Sequence, residues 1–276
     1  MKVVLFCGGP SLRLPEQAEA VPKPMVQIGY RPVLWHVMRY YAHFGWQDFV
    51  LCLGQRADLI KHYFLEYDEA LSNDFVLSDG GRNVELLGSD IASWRITFAD
   101  TGLRTTVGER LRAVRSHVAG EELFLANYGD VVTDAPLDEI VADFRARSEV
   151  AALLAVRPAY SFHLVDDDGE GRVSGLRDVQ RADLWINGGY YIFRQAIFDY
   201  IRPGEELTEE PFRRLVEAGQ LLAYRYEGFY TSMDTLKDLQ RLQQLSETGR
   251  PPWALWLPGG DGRDRSWSIS SPAGTR

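Results

Sequence analysis

Lys2-Val3-Val4-Leu5-Phe6-Cys7-Gly8-Gly9-Pro10-Ser11-Leu12-Arg13 is the stretch that decides the fold. An apolar run of strand character breaks at two glycines, with an arginine close behind. A short loop later, Pro22-Lys23-Pro24-Met25 places a second cation between two prolines. A strand ending in two glycines, with an arginine and then a lysine a short loop away, is the build expected of a nucleotide triphosphate site. Backbone N–H groups without a neighbouring Cβ can approach phosphate oxygens, and paired cations neutralise the charge. Gly8 and Gly9 are therefore read as nucleotide-binding, with Arg13 and Lys23 as the catalytic cations.

Outward from this loop, strands and helices alternate. Val3–Cys7 reads as a strand and Val33–Phe44 as a helix, from the stripe Leu34, Val37, Met38, Tyr41 and Phe44. Asp48–Leu53, Trp94–Phe98, Leu123–Ala126 and Val150–Val156 read as strands. Ala57–Tyr67, Gly108–His117, Glu209–Gly219 and Thr235–Glu247 read as helices, and Asp134 is expected to cap a helix over Asp134–Arg147. The alternation predicts an α/β fold, a Rossmann-like doubly wound mainly parallel sheet with small β excursions. Ligands of such sheets lie beyond the strand C-termini, where Gly8 and Gly129-Asp130 fall. Residues 68–93 break the pattern and predict a hairpin or lid, and Asp166-Asp-Asp-Gly169 predicts a turn between two short strands. One domain is expected over residues 1–256, followed by a flexible tail over 257–276 that lacks periodicity.

Composition narrows the function classes. The chain is 45% hydrophobic and 25% charged, as in ordinary globular proteins. A formal charge of −9 with no basic stripe argues against nucleic acid as a partner, while leaving a local cationic cleft for a small anion. Cys7 and Cys52 each end an apolar run and are expected as buried thiols in neighbouring strands. No run is long enough to span a membrane and no signal segment precedes the first strand, so the cytoplasm is the expected compartment.

Lys23-Pro-Met-Val-Gln-Ile-Gly29, followed by Pro32-Val-Leu-Trp-His36, resembles the opening of the sugar-1-phosphate nucleotidylyltransferases, within them most the glucose-1-phosphate cytidylyltransferases. Asp100-Thr101-Gly102, Tyr128-Gly129-Asp130, Asn187-Gly188-Gly189, Gly228-Phe229 and Met233-Asp234-Thr235 match in order, over roughly residues 1–256. The resemblance implies a nucleotide-diphospho-sugar transferase type of fold. Its nucleotide-binding part would span about 1–130 and its sugar-binding part about 131–256. It also implies transfer of a nucleotidyl group, CMP favoured, from a nucleoside triphosphate to a sugar 1-phosphate or sugar-like cyclitol phosphate, forming a product such as CDP-glucose and pyrophosphate. Homo-oligomers are the implied assembly. A dinucleotide-binding dehydrogenase is disfavoured, because no Gly-x-Gly-x-x-Gly follows the first strand.

Nucleotidyl transfer requires a held triphosphate, an in-line acceptor phosphate and a metal to offset developing charge. Arg13 is the candidate for the β- and γ-phosphates and Lys23, stiffened by flanking prolines, for the α-phosphate. Asp130, after an apolar strand, and Asp234 are the candidate ligands of one Mg²⁺; for Asp234 a helix N-cap is the competing reading. The resemblance assigns Thr101, Gly102, Arg110, Tyr128 and Gly129 to the nucleotide. Asn187 and Gly188 suit a sugar, since an amide both donates and accepts and glycine permits close approach.

The chain departs from the family pattern in several places. Pro10-Ser11-Leu12 replaces a further Gly and Thr, and Val131 replaces a Gly after Asp130. Val179 stands where the family carries the lysine that grips the sugar phosphate, leaving Arg177 or Arg181 as substitutes and Asp178 as a ligand of sugar hydroxyls. These departures motivate a second reading, a catalytically impaired homologue that binds nucleotide or sugar nucleotide as a regulatory or partner subunit.

Overall fold

The computed structural model describes residues 1–9, 20–159, 162–257 and 267–269, and the backbone alone at 11–12. We number the strands of the central sheet β1 (Lys2–Phe6), β2 (Asp48–Leu53), β3 (Arg95–Asp100), β4 (Leu123–Tyr128), β5 (Ala151–Val156), β6 (Ile186–Arg194), β7 (Leu221–Tyr226) and β8 (Trp267–Ile269). Their order across the sheet is β8-β7-β5-β6-β4-β1-β2-β3. β1 to β4 run parallel and β5 parallels β7, whereas β6 is antiparallel to both β4 and β5, and β8 to β7. The expected mainly parallel α/β sheet is present.

Alternation sorts the strand side chains into two cores. Val3, Leu5, Leu51 and Leu125 face α1 (Val33–His43), while Val4, Phe6, Val50 and Phe124 face α3 (Val107–Ala113) and α5 (Glu210–Glu217). Strands covered on both faces read as continuous apolar runs. α2 (Ala57–Leu65), α4 (Leu137–Arg145) and α6 (Leu236–Glu247) complete the longer helices. Cys7 and Cys52 are free and buried as expected, but they belong to opposite cores.

Two expectations need correction. Asp134 does not cap α4, whose N-cap is Pro136 without a side-chain bond. Its Oδ1 instead accepts from the Tyr226 hydroxyl at 2.6 Å and from the Phe229 N–H at 2.7 Å. These donors come from a distant strand end, which local spacing does not reveal. Within the tail expected to be flexible, Trp267–Ile269 forms β8, paired to Tyr224–Tyr226. The Trp267 ring packs edge-on against Tyr224 with centroids 5.2 Å apart. Trp253 is buried and donates to His36 Nδ1 at 3.2 Å, so the apolar segment before the tail docks on its own domain.

The excursion over 68–93 is a hairpin, Phe75–Ser78 with Asn83–Leu86, and a second hairpin pairs His163–Asp167 with Val173–Asp178. No helix of the described residues is long and apolar enough to cross a membrane.

Candidate active site

β1 has β2 on one side and β4 on the other, so the sheet changes its winding direction between β1 and β4. Crevices open at such switch points beyond the carboxyl ends of strands. A cavity of about 650 Å³ lies there, walled by Gly8 and Gly9 after β1 and by Tyr128 and Asp130 at the end of β4. The reversed β6 contributes its opening residues, Ile186 and Asn187, to the same edge.

A small ribbon assembles the carboxylates. Val131–Thr133, directly after Asp130, pairs antiparallel with Tyr230–Ser232, directly before Met233 and Asp234. Val131 lies opposite Ser232, and the Met233 N–H donates to the Asp130 carbonyl at 2.9 Å. The two aspartates are thereby held side by side. Val131, a departure in the sequence, is a buried β-branched residue of this ribbon.

Lys23 reaches across from the loop before α1 and donates from Nζ to Asp234 Oδ1 at 2.5 Å, linking residues 211 positions apart. Asp234 Oδ2 accepts from Ser232 Oγ at 2.6 Å. The cap of α6 is Thr235 in a capping box with Asp238, so the N-cap reading of Asp234 does not hold. Burial, and then the neighbouring charge of Asp234, push the Asp130 carboxyl up to about 7, against the pull of Lys23. Two carboxylates that repel across a cleft form a hard oxygen donor set. That set suits Mg²⁺, which takes one or two protein carboxylates and completes its octahedron with water and phosphate oxygens.

Arg110 is buried. Its Nη1 donates to Thr101 Oγ1 at 2.7 Å, to the Leu53 carbonyl at 3.1 Å and to the Gly102 carbonyl at 3.1 Å, and its Nη2 to the Gly8 carbonyl at 2.8 Å. One guanidinium thus ties together the loops after β1, β2 and β3. Burial lowers its proton affinity. A Cβ at Gly8 would stand 2.1 Å from Nη1, so only glycine fits this crossing. Gly189 has φ +75°, and a Cβ there would lie 2.5 Å from Tyr128 Cδ2, which lets the Tyr128 ring lie against β6.

Of the other residues singled out in the sequence, Asn187 lines the cavity, donating to Tyr191 Oη at 2.8 Å while its Oδ1 accepts from the Gly189 N–H at 2.9 Å. Thr101, Gly102 and Gly129 support the wall from behind: Thr101 Oγ1 donates to the Leu53 carbonyl at 2.7 Å, and Gly129 packs on Cys7. Gly188 faces the Leu154 carbonyl inside the sheet and is not part of the cavity lining. Asp178 is also outside it. Its Oδ1 accepts from the Gln180 N–H at 2.9 Å, and it borders a separate recess with His163, Arg177 and Arg181. Arg177 is engaged by both oxygens of Asp166, and Val179 is buried, so neither supplies the cavity with a cation. Arg13 lies outside the described residues.

Several cavity residues were not legible beforehand, among them Arg104, Glu206, Tyr230 and Ser232. Ser232 sits two residues before Asp234, a spacing that puts both on one face of an extended segment. The loop carrying Glu206 offered no such signal.

Comparison with known proteins shows the family. The model of the family described as nucleotidyl transferase matches residues 2–239. The chain is 34% identical over 258 residues to a glucose-1-phosphate cytidylyltransferase of Salmonella typhi, covering 93% of this chain and 100% of that protein. It is 32% identical, with the same coverage, to a probable glucose-1-phosphate cytidylyltransferase of Bacillus subtilis (strain 168). Among solved structures it is similar in fold to a UDP-glucose pyrophosphorylase from Acinetobacter baumanii. The TM-score is 0.65 at 18% identity, over 92% of this chain and 96% of that one. A triphosphate-type glycine turn, a lysine and two facing aspartates at the switch point, and a family match along most of the chain lead to one conclusion: this chain belongs to the nucleotidyl transferase family.

Proposed function

We propose that the chain transfers CMP from CTP to a sugar 1-phosphate, glucose 1-phosphate foremost, releasing pyrophosphate and forming a CDP-sugar. The observation that carries this reading is the meeting of Lys23, Asp130 and Asp234 at one edge of the sheet, beside the glycine turn. The choice of cytosine and glucose is supported by the names of the relatives at 32–34% identity.

In the proposed reaction an oxygen of the acceptor phosphate attacks the α-phosphorus in line. The bond from that phosphorus to the bridging oxygen breaks, and its electron pair leaves with pyrophosphate. The attacking phosphate is already ionised near neutral pH, so no general base is required. Lys23 neutralises charge on the α-phosphoryl oxygens, and Arg13 holds the β- and γ-phosphates. Asp130 and Asp234 would hold a Mg²⁺, which when bound supplies electrostatic stabilisation of the pentacoordinate phosphorus. Ser232 fixes one oxygen of Asp234, leaving the carboxylate aimed. Thr101, Gly102, Arg110, Tyr128 and Gly129 form or back the nucleotide wall, and Asn187 faces the sugar. Residues up to about 130 serve the nucleotide and those from about 131 to 256 the acceptor, in a homo-oligomer.

Pyrophosphate release with Mg²⁺, across CTP, dTTP, UTP, ATP and GTP against a panel of sugar 1-phosphates, tests the reading. Turnover is expected with CTP and glucose 1-phosphate, lost on Mg²⁺ removal and reduced roughly 10²-fold or more in Lys23→Ala and Asp130→Ala. Silence across the panel, or variants indistinguishable from wild type, would refute it.

A further inference from the structure

The two aspartates of the cavity are aimed in different ways. Asp234 is gripped through its own carboxylate, by Lys23 Nζ on Oδ1 and Ser232 Oγ on Oδ2. Among the described residues no other side chain bonds the Asp130 carboxylate, so its aim is set by the backbone that carries it. That backbone is held on both sides. The Gly129 N–H donates to the Phe6 carbonyl at 3.1 Å, and the Asp130 carbonyl accepts from the Met233 N–H at 2.9 Å.

The next residue is fastened from another element. Val131 lies opposite Ser232, and the Met233 bond to Asp130 makes this a pair that exchanges no ladder bonds. The Val131 carbonyl therefore points out of the ribbon, and the residue is only 4% exposed. A buried carbonyl without a donor is costly. Tyr190 Oη on β6 supplies the donor at 2.9 Å, 59 positions away in sequence. Two more buried tyrosines grip the same strip further on. Tyr40 Oη donates to the Ala135 carbonyl at 2.7 Å and Tyr226 Oη to Asp134 Oδ1 at 2.6 Å. All three rings belong to the core against α1, and the Tyr190 ring packs on those of Tyr40 and Tyr41 with centroids 5.9 and 6.1 Å apart. In such a close-packed core the ring has no room to swing, so its hydroxyl is a fixed point. Of the three hydroxyls, that of Tyr190 acts on the residue next to Asp130.

We propose that Tyr190 is a positioning residue whose hydroxyl, through the Val131 carbonyl, fixes the backbone that aims Asp130 at a divalent cation. Mg²⁺ demands near-ideal octahedral geometry, and a ligand must be held to within about 0.5 Å of its productive position. The assignment rests on the reading of Asp130 and Asp234 as metal ligands, which binding of the ion tests without turnover.

Tyr190→Phe removes the hydroxyl and keeps the ring contacts. Tyr40→Phe is its control, because it removes an equally buried hydroxyl from the far end of the same strip. Mn²⁺ titration of the full chain without nucleotide, followed by electron paramagnetic resonance of the free ion, is the experiment, with urea midpoints measured on the same samples. Both variants are expected to fold and to lose similar stability. Tyr190→Phe alone weakens Mn²⁺ binding, roughly tenfold. It alone needs a correspondingly higher Mg²⁺ concentration for half-maximal pyrophosphate release, while the KM for CTP at saturating Mg²⁺ stays put. Equal Mn²⁺ affinity in wild type and Tyr190→Phe overturns the assignment and leaves the metal reading standing. So does an equal loss in Tyr40→Phe, which would mark a general loosening of the strip. Absence of Mn²⁺ binding in wild type, or binding that Asp130→Asn does not weaken, removes the metal site and the assignment with it. Silence across the nucleotide panel, with the Mn²⁺ difference intact, would refute the proposed transfer and leave Tyr190 as the residue that positions Asp130.

Discussion

Replacing Arg110 by methionine keeps much of the side chain's volume and removes four hydrogen bonds at once. The acceptors do not suffer equally. The Leu53 carbonyl keeps the Thr101 N–H at 3.1 Å and Thr101 Oγ1 at 2.7 Å, and the Gly102 carbonyl keeps Thr105 Oγ1 at 3.3 Å. The Gly8 carbonyl has Arg110 as the donor shown, and it lies in a buried stretch. Four bonds at about 1 kcal/mol net each, plus about 1–3 kcal/mol for an orphaned carbonyl, set the loss. Relief from burying a guanidinium offsets part of it. A net destabilisation of about 3 kcal/mol is expected, which for a chain of this size lowers Tm by roughly 6–12 °C. Urea denaturation at constant m-value and a thermal scan measure it. Arg110→Lys should lose nearly as much, because a point ammonium cannot bridge the Gly8 and Gly102 carbonyls as the fork does. A loss under about 1 kcal/mol in Arg110→Met, or full rescue by lysine, would refute the bracing role.

Two further outcomes follow from groups away from the chemistry. His36 is buried, with Nε2 3.0 Å from the Ile28 carbonyl and Nδ1 accepting from Trp253; a carbonyl only accepts, so Nε2 carries the proton. Burial lowers its pKa to about 4, so the unfolded chain binds the extra proton first. Its contribution is therefore complete above pH 6.5 and declines by about 1.4 kcal/mol per unit toward pH 4. Urea midpoints at pH 7.5 and 5 should differ less in His36→Gln than in wild type; parallel pH profiles would contradict this. Gly189→Ala meets both a positive φ and the Tyr128 ring, so a loss of about 2 kcal/mol or more is expected, together with a raised KM for the acceptor. An unchanged urea midpoint would show that Tyr128 yields without cost.

Much of the architecture was legible locally. Lys2–Phe6 and Asp48–Leu53 are apolar because both faces of a parallel strand are covered, and that demand is written residue by residue. The loop chemistry was legible for the same reason. Gly8 must lack a Cβ, Lys23 is fixed between prolines, and Asp130 ends a strand. Corrections arose where a side chain answers to a distant partner. Asp134 reads as a cap from its neighbours but bonds to the end of β7. Asp178 follows the family order, yet its turn faces another recess.

The sequence by itself determined the elements, the glycine turn and the identities of the charged groups, because propensity, alternation and backbone permissiveness act over a few residues. Only the tertiary structure decided which of those groups meet. The antiparallel ribbon of Val131–Thr133 with Tyr230–Ser232 sets Asp234 beside Asp130. The reversal of β6 brings Asn187 to the edge where the parallel strands end. Both are long-range pairings whose register is chosen by burial of the whole sheet, and no local stretch of sequence encodes that choice.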